Sequence, residues 1–515
     1  MADRVGRPLR LTTSKPWIWL PPVLFLAYFF VYPVVRVLWL ALDLDAIAAL
    51  LRPRIVSSAW FTVWQAVVST LLTMLTALPL TWALSRFNFR GKAAVRALVT
   101  VPFVMPTVVV GAAFLNLLPR GVGAILAAHV FFNIAVVVRT VGSVWSRIDT
   151  ELEQAARVLG ASRLRAAWFV TYPLLRPSLI SAAAIVFLFS FASFGTVLIL
   201  GGARLRTIEV EIYQQAVNFG ALPLAAALSI VQLVFVLVAL WSSTRWQRQV
   251  AVDLRGEATL PAPAGRQRAV VAAIVGFTLA FLGAPLIALA ANSGQGWDFA
   301  AGGQSLRPLD AIGNSLLYAL VATVLATTLG LLAARTIASS HRRWGAIFDT
   351  GLMLPLGISA VTVGLGFLLA LDAPVDLRGS AVLVPLAHAL IGLPFVVRAT
   401  VPLLKSIRPE LREAAAVLGA SPSRIWREID LPIVARALLV GAGLAAVVSL
   451  GEFGASAFVV RPASITVPTL IYRLLSRPGT TSYSQAMALA VVLAVLTALV
   501  VLVIDRWRGD RVGAF

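Results

Sequence analysis

The 515-residue chain is 59% hydrophobic and 13% charged, about half the ~25% charge of soluble domains, which excludes a soluble globular fold. The net charge of +21 does not indicate nucleic-acid binding, because the arginines lie in short clusters between long apolar segments. The chain has no cysteine, which excludes disulfides, thiolate metal sites and cysteine nucleophiles. The composition therefore indicates a membrane protein.

The basic N-terminus leads directly into the first apolar segment, 17–42. This segment is longer than the ~7–15 apolar residues of a signal peptide, and no small-residue cleavage site follows it. We therefore expect it to be retained as the first membrane span.

Twelve segments are apolar and long enough to span a bilayer, for which a helix needs ~20 residues. Lys and Arg concentrate in alternate loops and at the C-terminus, around Arg506 and Arg511. Because basic loops stay inside, we predict an all-α, multi-pass protein of the bacterial inner membrane with both termini in the cytoplasm. The spans are 17–42, 59–84, 95–118, 122–145, 178–201, 222–243, 269–291, 313–338, 348–371, 380–403, 434–458 and 484–504.

The sequence repeats itself. A shift of 259 positions aligns residues 129–213 with the second half without a gap and brings His129 onto His388. The chain is thus predicted to be two parallel six-span repeats, 1–243 and 269–515, joined by a cytoplasmic linker at 244–268. Parallel repeats place a transport path at their interface, whereas duplication without transport is the alternative.

The longest inner loop of each repeat predicts a helix–turn–helix elbow. Residues 149–159 and 408–418 are strong helix formers with an acidic first turn, which suits the helix dipole. Gly160 and Gly419 end these helices, and an Ala-Ser pair then opens a second short helix. An ordinary solvated loop is the alternative. The occurrence of the same elbow pattern in both repeats disfavours this alternative. The residues expected to mark a break before the next span are Pro173 and Pro432.

The elbow resembles the Glu-Ala-Ala coupling loop of binding-protein-dependent ATP-binding-cassette (ABC) importers. The second copy matches fully, whereas the first has Gln154 for the acid, Val170 for Ile and Tyr172 for Leu. The resemblance implies the type I importer permease fold, in which each loop enters a groove on an ATPase subunit. With Gln154, the first contact should be less electrostatic than the second. The implied coupling residues are Gln154, Ala155, Ala156, Gly160, Pro173, Glu413, Ala414, Ala415, Gly419 and Pro432.

The same resemblance implies two copies of an ABC ATPase subunit, which would use ATP and Mg, and a periplasmic or lipid-anchored substrate-binding protein. The longest equivalent outer loops, 202–221 and 459–483, would receive the binding protein. The chain itself has no Walker motif, because its one Gly-Lys pair, at 91–92, is followed by Ala93. We therefore expect no catalytic residue and no cofactor bound by this chain, and no nucleic-acid partner.

The whole chain resembles fused permeases for thiamine and for ferric iron. Segments 128–133, 191–202 and 207–214 are most similar to the thiamine importer, while 449–454 resembles both groups. The resemblance therefore favours thiamine or its phosphates, with ferric iron as the alternative. A gradient-driven secondary transporter would need several intramembrane ionisable groups and would leave the paired elbows unexplained. A membrane enzyme would need a catalytic cluster, and the sequence has none.

One carboxylate falls deep within a predicted span. Glu452 corresponds to Ser193 in the first repeat, and each precedes a Phe-Gly pair, at Phe194 and at Phe453. A carboxylate at this depth should face protein or water. We predict that Glu452 and Ser193 line the substrate path and that the paired Phe rings form a gate. The alternative for Glu452 is a structural ion pair with an Arg of another span.

Two histidines, His129 and His388, occupy equivalent depths in equivalent spans. Interhelical hydrogen bonds are their expected role, and a pseudo-symmetric pair beside the path is the alternative. The sequence contains no two-His zinc motif, so no metal site is expected.

Overall fold

The computed structural model describes residues 17–247, 260–299, 307–340, 342–372 and 376–508. Every regular element within these ranges is helical, which confirms the all-α fold class. The basic residues of the N-terminus and most of the predicted linker lie outside the described residues.

The first repeat begins with a long apolar helix and ends with another, and three short helices lie between its spans. A further short helix, Leu44–Ala49, follows the first span. The helices are α1 Leu20–Leu40, α2 Pro53–Arg86, α3 Lys92–Val104, α4 Thr107–Leu115, α5 Val122–Trp145, α6 Thr150–Val158, α7 Arg163–Phe191, α8 Gly195–Leu200, α9 Ile208–Tyr213 and α10 Leu222–Gln247.

The second repeat has the same order of elements, which confirms the internal duplication at the level of structure. Its helices are α11 Arg266–Ala291, α12 Pro308–Ser339, α13 Arg342–Gly357, α14 Ala360–Ala370, α15 Leu383–Ser406, α16 Pro409–Val417, α17 Pro422–Gly451, α18 Ser456–Val459, α19 Val467–Leu475 and α20 Thr480–Arg508.

The third predicted span of each repeat is broken. The described chain has ten continuous helices able to cross a membrane, plus two bent pairs, α3–α4 at 101° and α13–α14 at 96°. The spans predicted at 95–118 and 348–371 are therefore present as bent helix pairs. The first break falls at Pro106, which pushes the residue before it, Met105, into an extended conformation.

The prolines after the elbows do not interrupt the helices, contrary to expectation. Helices α7 and α17 continue through Pro173 and Pro432, so these spans begin near 163 and 422 and end at Phe191 and Gly451. A π-helical turn ends two residues before each proline. The wider turn accommodates proline because the ring lacks an N–H and crowds the carbonyl one turn back.

The two repeats interlock through their first helices. Helix α1 packs on α14, and α11 packs on α4, so each broken pair is covered by the opening helix of the other repeat. Gly366 permits one of these contacts, because a Cβ at this position would lie 2.9 Å from the Cβ of Pro33. This exchange joins the repeats into one membrane unit with the broken helices at the centre.

Each predicted outer loop contains a buried helix. All residues of α9 and most of α19 are buried within the protein, although both fall inside the loops expected to receive a binding protein, 202–221 and 459–483. Thr62 of α2 accepts a hydrogen bond from the first N–H of α9 at 2.8 Å, and Ser315 of α12 does the same for α19. The loop prediction was wrong for these segments, because they fold back between the spans.

Candidate functional site

A cavity of about 490 Å³ lies between the two repeats. Residues at both helix breaks line it, Thr107 in the first repeat and Ser359 in the second. The four residues predicted to line the path also line this cavity. They are Ser193, Phe194, Glu452 and Phe453.

Four aromatic rings form a cluster that reaches the cavity wall through Phe194 and Phe453. We call this cluster the aromatic plug, and its members are Phe194, Tyr213, Phe453 and Tyr472. Phe194 and Phe453 stack with ring centroids 5.3 Å apart. Tyr213 and Tyr472, which are equivalent in the two repeats, meet edge to face at 6.4 Å. Each Phe also contacts the Tyr of its own repeat, at 5.5 and 5.7 Å. Because α7 and α17 run from the elbows to the plug, the cavity lies on the elbow side of the plug.

Glu452 is buried, and its carboxylate is well satisfied. Its oxygens accept hydrogen bonds from the backbone N–H groups of Ala455 and Ser456 at 2.8 and 3.0 Å, and from the Ser456 hydroxyl at 2.9 Å. The Nε2 atom of His388 lies 3.4 Å away. Glu452 is therefore held by the start of α18 and by a histidine, rather than by the arginine considered as the alternative.

Both histidines make the expected interhelical hydrogen bonds. His129 bonds the hydroxyls of Ser69 and Ser193 at 3.0 and 2.8 Å. His388 bonds Ser449 and Ser456 at 2.7 and 2.9 Å. His129 thus links α5 to α2 and to the segment after α7, whereas His388 links α15 to α17 and α18, and the histidine of the first repeat holds Ser193 at the cavity wall.

Sequence reasoning missed a second acid in the cavity wall. Glu209 lines the cavity with Gln232 and Ser359, and its Oε1 accepts a hydrogen bond from the Gln232 amide at 2.5 Å. The residue was assigned to an outer loop because a short polar segment between spans normally lies in water. The pattern Glu209-x-Glu211, flanked by Ile and Val, was the available signal of burial.

The elbows have the predicted helix–turn–helix form. Gly160 and Gly419 lie in the left-handed region, at φ +90° and +79°. The hydroxyls of Ser162 and Ser421 then cap the second short helices. Of the residues predicted to couple to an ATPase, Ala156 and Ala415 are half-buried and the others are exposed, namely Gln154, Ala155, Gly160, Pro173, Glu413, Ala414, Gly419 and Pro432.

Each elbow is anchored at its base by equivalent positions with exchanged charge. In the first repeat the Glu153 carboxylate accepts hydrogen bonds from Arg86 and Thr171. In the second, Arg412 donates to Asp430 at 2.8 Å, at the positions of Glu153 and Thr171. Arg335 of α12 additionally lies over the Trp426 ring at 4.4 Å. The hydrogen-bond donor and acceptor at these two positions are therefore exchanged between the repeats.

The elbow tips carry apolar side chains that are not part of the coupling motif. Leu159 and Leu418 are 89% and 86% exposed, and each stands next to the glycine that ends the first elbow helix. Val158, Leu164 and Val417 beside them are exposed to a similar extent. Apolar patches of this kind at a polar loop mark a surface for a protein partner.

The part of the chain that the structure describes holds no group of three or more His, Asp or Glu residues placed to bind a metal ion.

The sequence profile of the family described as the binding-protein-dependent transport system inner membrane component matches residues 69–252 and 326–509. The chain belongs to this family. The profile occurs twice, once in each structural repeat, and each copy contains an elbow. The chain is therefore a multi-pass permease subunit of a transport system.

Relatives cover nearly the whole chain. It is 30% identical to the thiamine transport system permease protein ThiP of Brucella suis, over 89% of this chain and 88% of the relative. It is 27% identical to ThiP of Escherichia coli K12, over 88% and 89%. A probable sulfate transport system permease protein, cysT of Chlorokybus atmophyticus, is 29% identical over 36% of this chain and 72% of its own length. The fused two-repeat permease assignment is thus confirmed.

Proposed function

We propose that this permease imports thiamine or its phosphates into the cytoplasm by alternating access, driven by a separate ABC ATPase. The observation that carries the proposal is the pair of elbows, each with an apolar tip projecting from a rigid base. Two such surfaces at equivalent ends of the repeats fit two equivalent ATPase subunits.

The elbow geometry supports mechanical coupling. The second short helix of each elbow continues through a π-helical turn into the span as α7 or α17, and these helices carry residues that line the cavity and end beside the aromatic plug. A displacement of a tip would therefore be transmitted along one helix to the plug. Nucleotide-driven closure of the ATPase subunits would supply that displacement.

The proposed orientation rests on the basic loops, which favour the cytoplasmic side. With the elbows and both termini in the cytoplasm, the cavity lies on the cytoplasmic side of a plug that closes toward the periplasm. This arrangement is the inward-facing state of an importer. A binding protein would then dock on the exposed parts of the outer loops, near 202–204, 217–220 and 476–481.

The preferred substrate follows from the relatives named for thiamine transport and from the cavity. Thiamine is a small aromatic cation, and a cavity of about 490 Å³ with aromatic walls is in the range that small organic ligands occupy. Aromatic faces stabilise organic cations by cation–π interaction. Import of a cation against a gradient requires the energy that a partner ATPase would provide.

The test is uptake of labelled thiamine and labelled ferric iron in cells with and without the gene, each before and after ATP depletion. Gene-dependent thiamine uptake that stops on ATP depletion is the expected result. ATP-dependent uptake of iron would support the ABC mechanism and show that ferric iron, rather than thiamine, is the substrate. Thiamine uptake that persists without ATP while the proton gradient is intact would contradict the ABC mechanism.

A further inference from the structure

The first-repeat wall of the cavity contains hydrogen-bond acceptors without partners. Asn133 and Gln232 both line the cavity, and they are 1% and 2% exposed. Their amide nitrogens are used, since Asn133 donates to the His129 carbonyl oxygen at 2.9 Å and Gln232 donates to Glu209. Both amide oxygens have no hydrogen-bond partner among the described residues. An unpaired buried acceptor is costly, so a ligand that donates to these oxygens would be stabilised.

Glu209 places a carboxylate next to the Gln232 amide, in the same cavity that Asn133 lines. Its hydrogen-bonding partners are the neutral side chains of Gln232 and Ser359, and no Lys, Arg or His of the described ranges forms an ion pair with it. The two other buried acids nearby differ in this respect. Glu211 pairs with Arg54 and Arg206, and Glu452 is held by His388 and two backbone amides. Glu209 is therefore the cavity acid that lacks a cation.

This set of acceptors belongs to one repeat. The equivalent of Glu209 in the second repeat is Pro468, and the equivalent of Asn133 is Gly392. Neither can accept a side-chain hydrogen bond. A ligand would therefore bind off the pseudo-symmetry axis, against the first repeat.

We propose that Glu209, Gln232 and Asn133 form a binding subsite for an organic cation that carries N–H donors. The carboxylate supplies the countercharge, and the two amide oxygens accept from the donors. Phe132 and Phe189, which also line the cavity, offer aromatic faces to the same ligand. The inference rests on the proposed transport function and narrows it to a substrate class.

The test is equilibrium binding to the full-length permease, purified in lipid nanodiscs. The probes are labelled thiamine and a neutral analogue in which a thiophene ring replaces the thiazolium. Glu209→Gln should weaken thiamine binding about tenfold or more, as expected for loss of a charged hydrogen-bonding partner. The variant should leave binding of the neutral analogue unchanged, and Glu209→Asp should retain most of the preference for the cation.

The matched control is Glu211→Gln, which removes a buried acid two residues away that does not line the cavity. It should keep the preference for thiamine over the neutral analogue. Equal weakening of both probes by Glu209→Gln, or loss of preference in Glu211→Gln, would overturn the inference, because either result indicates a structural role.

A second pair of probes separates this inference from the proposed function. Benzamidine is an aromatic cation with N–H donors, and tetraethylammonium is a cation without them. Glu209-dependent binding of benzamidine, in a protein whose gene does not support thiamine uptake, would support the subsite and remove thiamine as the substrate. Thiamine binding without dependence on Glu209 would overturn the subsite and leave thiamine import standing. Absence of saturable binding by all three cations would also overturn the subsite.

Discussion

Single glycines determine the shape of the elbows. Gly160 and Gly419 have positive φ, and a Cβ added at either position would have no neighbouring atom within 4 Å, so backbone conformation rather than space requires glycine there. A left-handed conformation costs a residue with a Cβ about 1–2 kcal/mol. The two tips therefore depend on the backbone conformation of residues that have no side chain.

Replacing both glycines with alanine should reorient the tips and uncouple ATP hydrolysis from transport. We expect Gly160→Ala/Gly419→Ala to insert normally but to lose most ATP-driven uptake in proteoliposomes. The control is Gly276→Ala, since Gly276 is helical and also has open space at its Cβ position. Full uptake by the double variant would show that tip conformation does not matter for coupling.

The anchor of the second elbow can be measured as a pairwise interaction. Arg412 and Asp430 are partly buried and joined by a 2.8 Å hydrogen bond, so a double-mutant cycle with alanine should give a coupling energy of about 1 kcal/mol. The measurement is thermal or denaturant unfolding of the purified protein. The exposed pair Arg424 and Glu428 is the comparison and should give less, about 0.5 kcal/mol or below. Equal coupling in the two pairs would contradict the anchoring role of Arg412.

At the scale of elements, the Phe-Gly pairs hold the plug against the broken helices. A Cβ on Gly195 would lie 2.5 Å from Thr107 Oγ1, at the break between α3 and α4. A Cβ on Gly454 would lie 3.0 Å from the Cβ of Ala360, at the equivalent break. The glycines thus allow the chain after α7 and α17 to pass directly across each break.

Gly195→Ala should therefore destabilise the protein more than Gly454→Ala, within the ~1–3 kcal/mol typical of overpacking. Thermal unfolding of the purified variants tests the order. Thr107→Ala removes the atom nearest to the added methyl group, so it should rescue Gly195→Ala and leave Gly454→Ala unchanged. If Thr107→Ala rescues neither variant, or both equally, the contact at the break is not the cause.

At the scale of the whole molecule, the aromatic plug joins the two repeats on their pseudo-symmetry axis. Its rings come from segments that precede α8 and α18 and from α9 and the helix α19. Stacking across the repeats makes the seal depend on their relative position. Movement of one repeat against the other would open it.

Removing the stacked pair should make the permease leak. We expect Phe194→Ala/Phe453→Ala to allow thiamine to equilibrate across proteoliposomes that contain neither ATPase nor ATP, whereas the native chain holds the gradient. Phe277→Ala, which removes a 64% exposed ring on α11, should not leak. If the double variant does not leak thiamine, the stacked Phe pair is not what closes the path.

Sequence patterns of short range were sufficient for much of this protein. The membrane class and the two elbows were predictable, because apolar length and helix-ending glycine are readable within a few tens of residues. The repeat and the cavity positions Ser193, Phe194, Glu452 and Phe453 followed from comparing the two halves of the chain. The roles of these residues in coupling and transport stay predictions. The π-helical turns could not be anticipated from proline alone, because α2 and α11 pass through Pro79 and Pro285 without such a turn.

Tertiary structure alone decided which further side chains line the cavity. Glu209 and α9 lie in a segment too short to be a span, and packing of α9 against α2, α10 and α14 draws them to the cavity. Glu452 was readable as a buried acid, but its bonds to His388 and to the start of α18 depend on how separate helices meet. The angles of the broken helices likewise depend on the helix that each receives from the other repeat. The sequence by itself determined which segments enter the membrane, because transfer to lipid is a local property, whereas long-range packing decided which polar groups remain unpaired at the cavity.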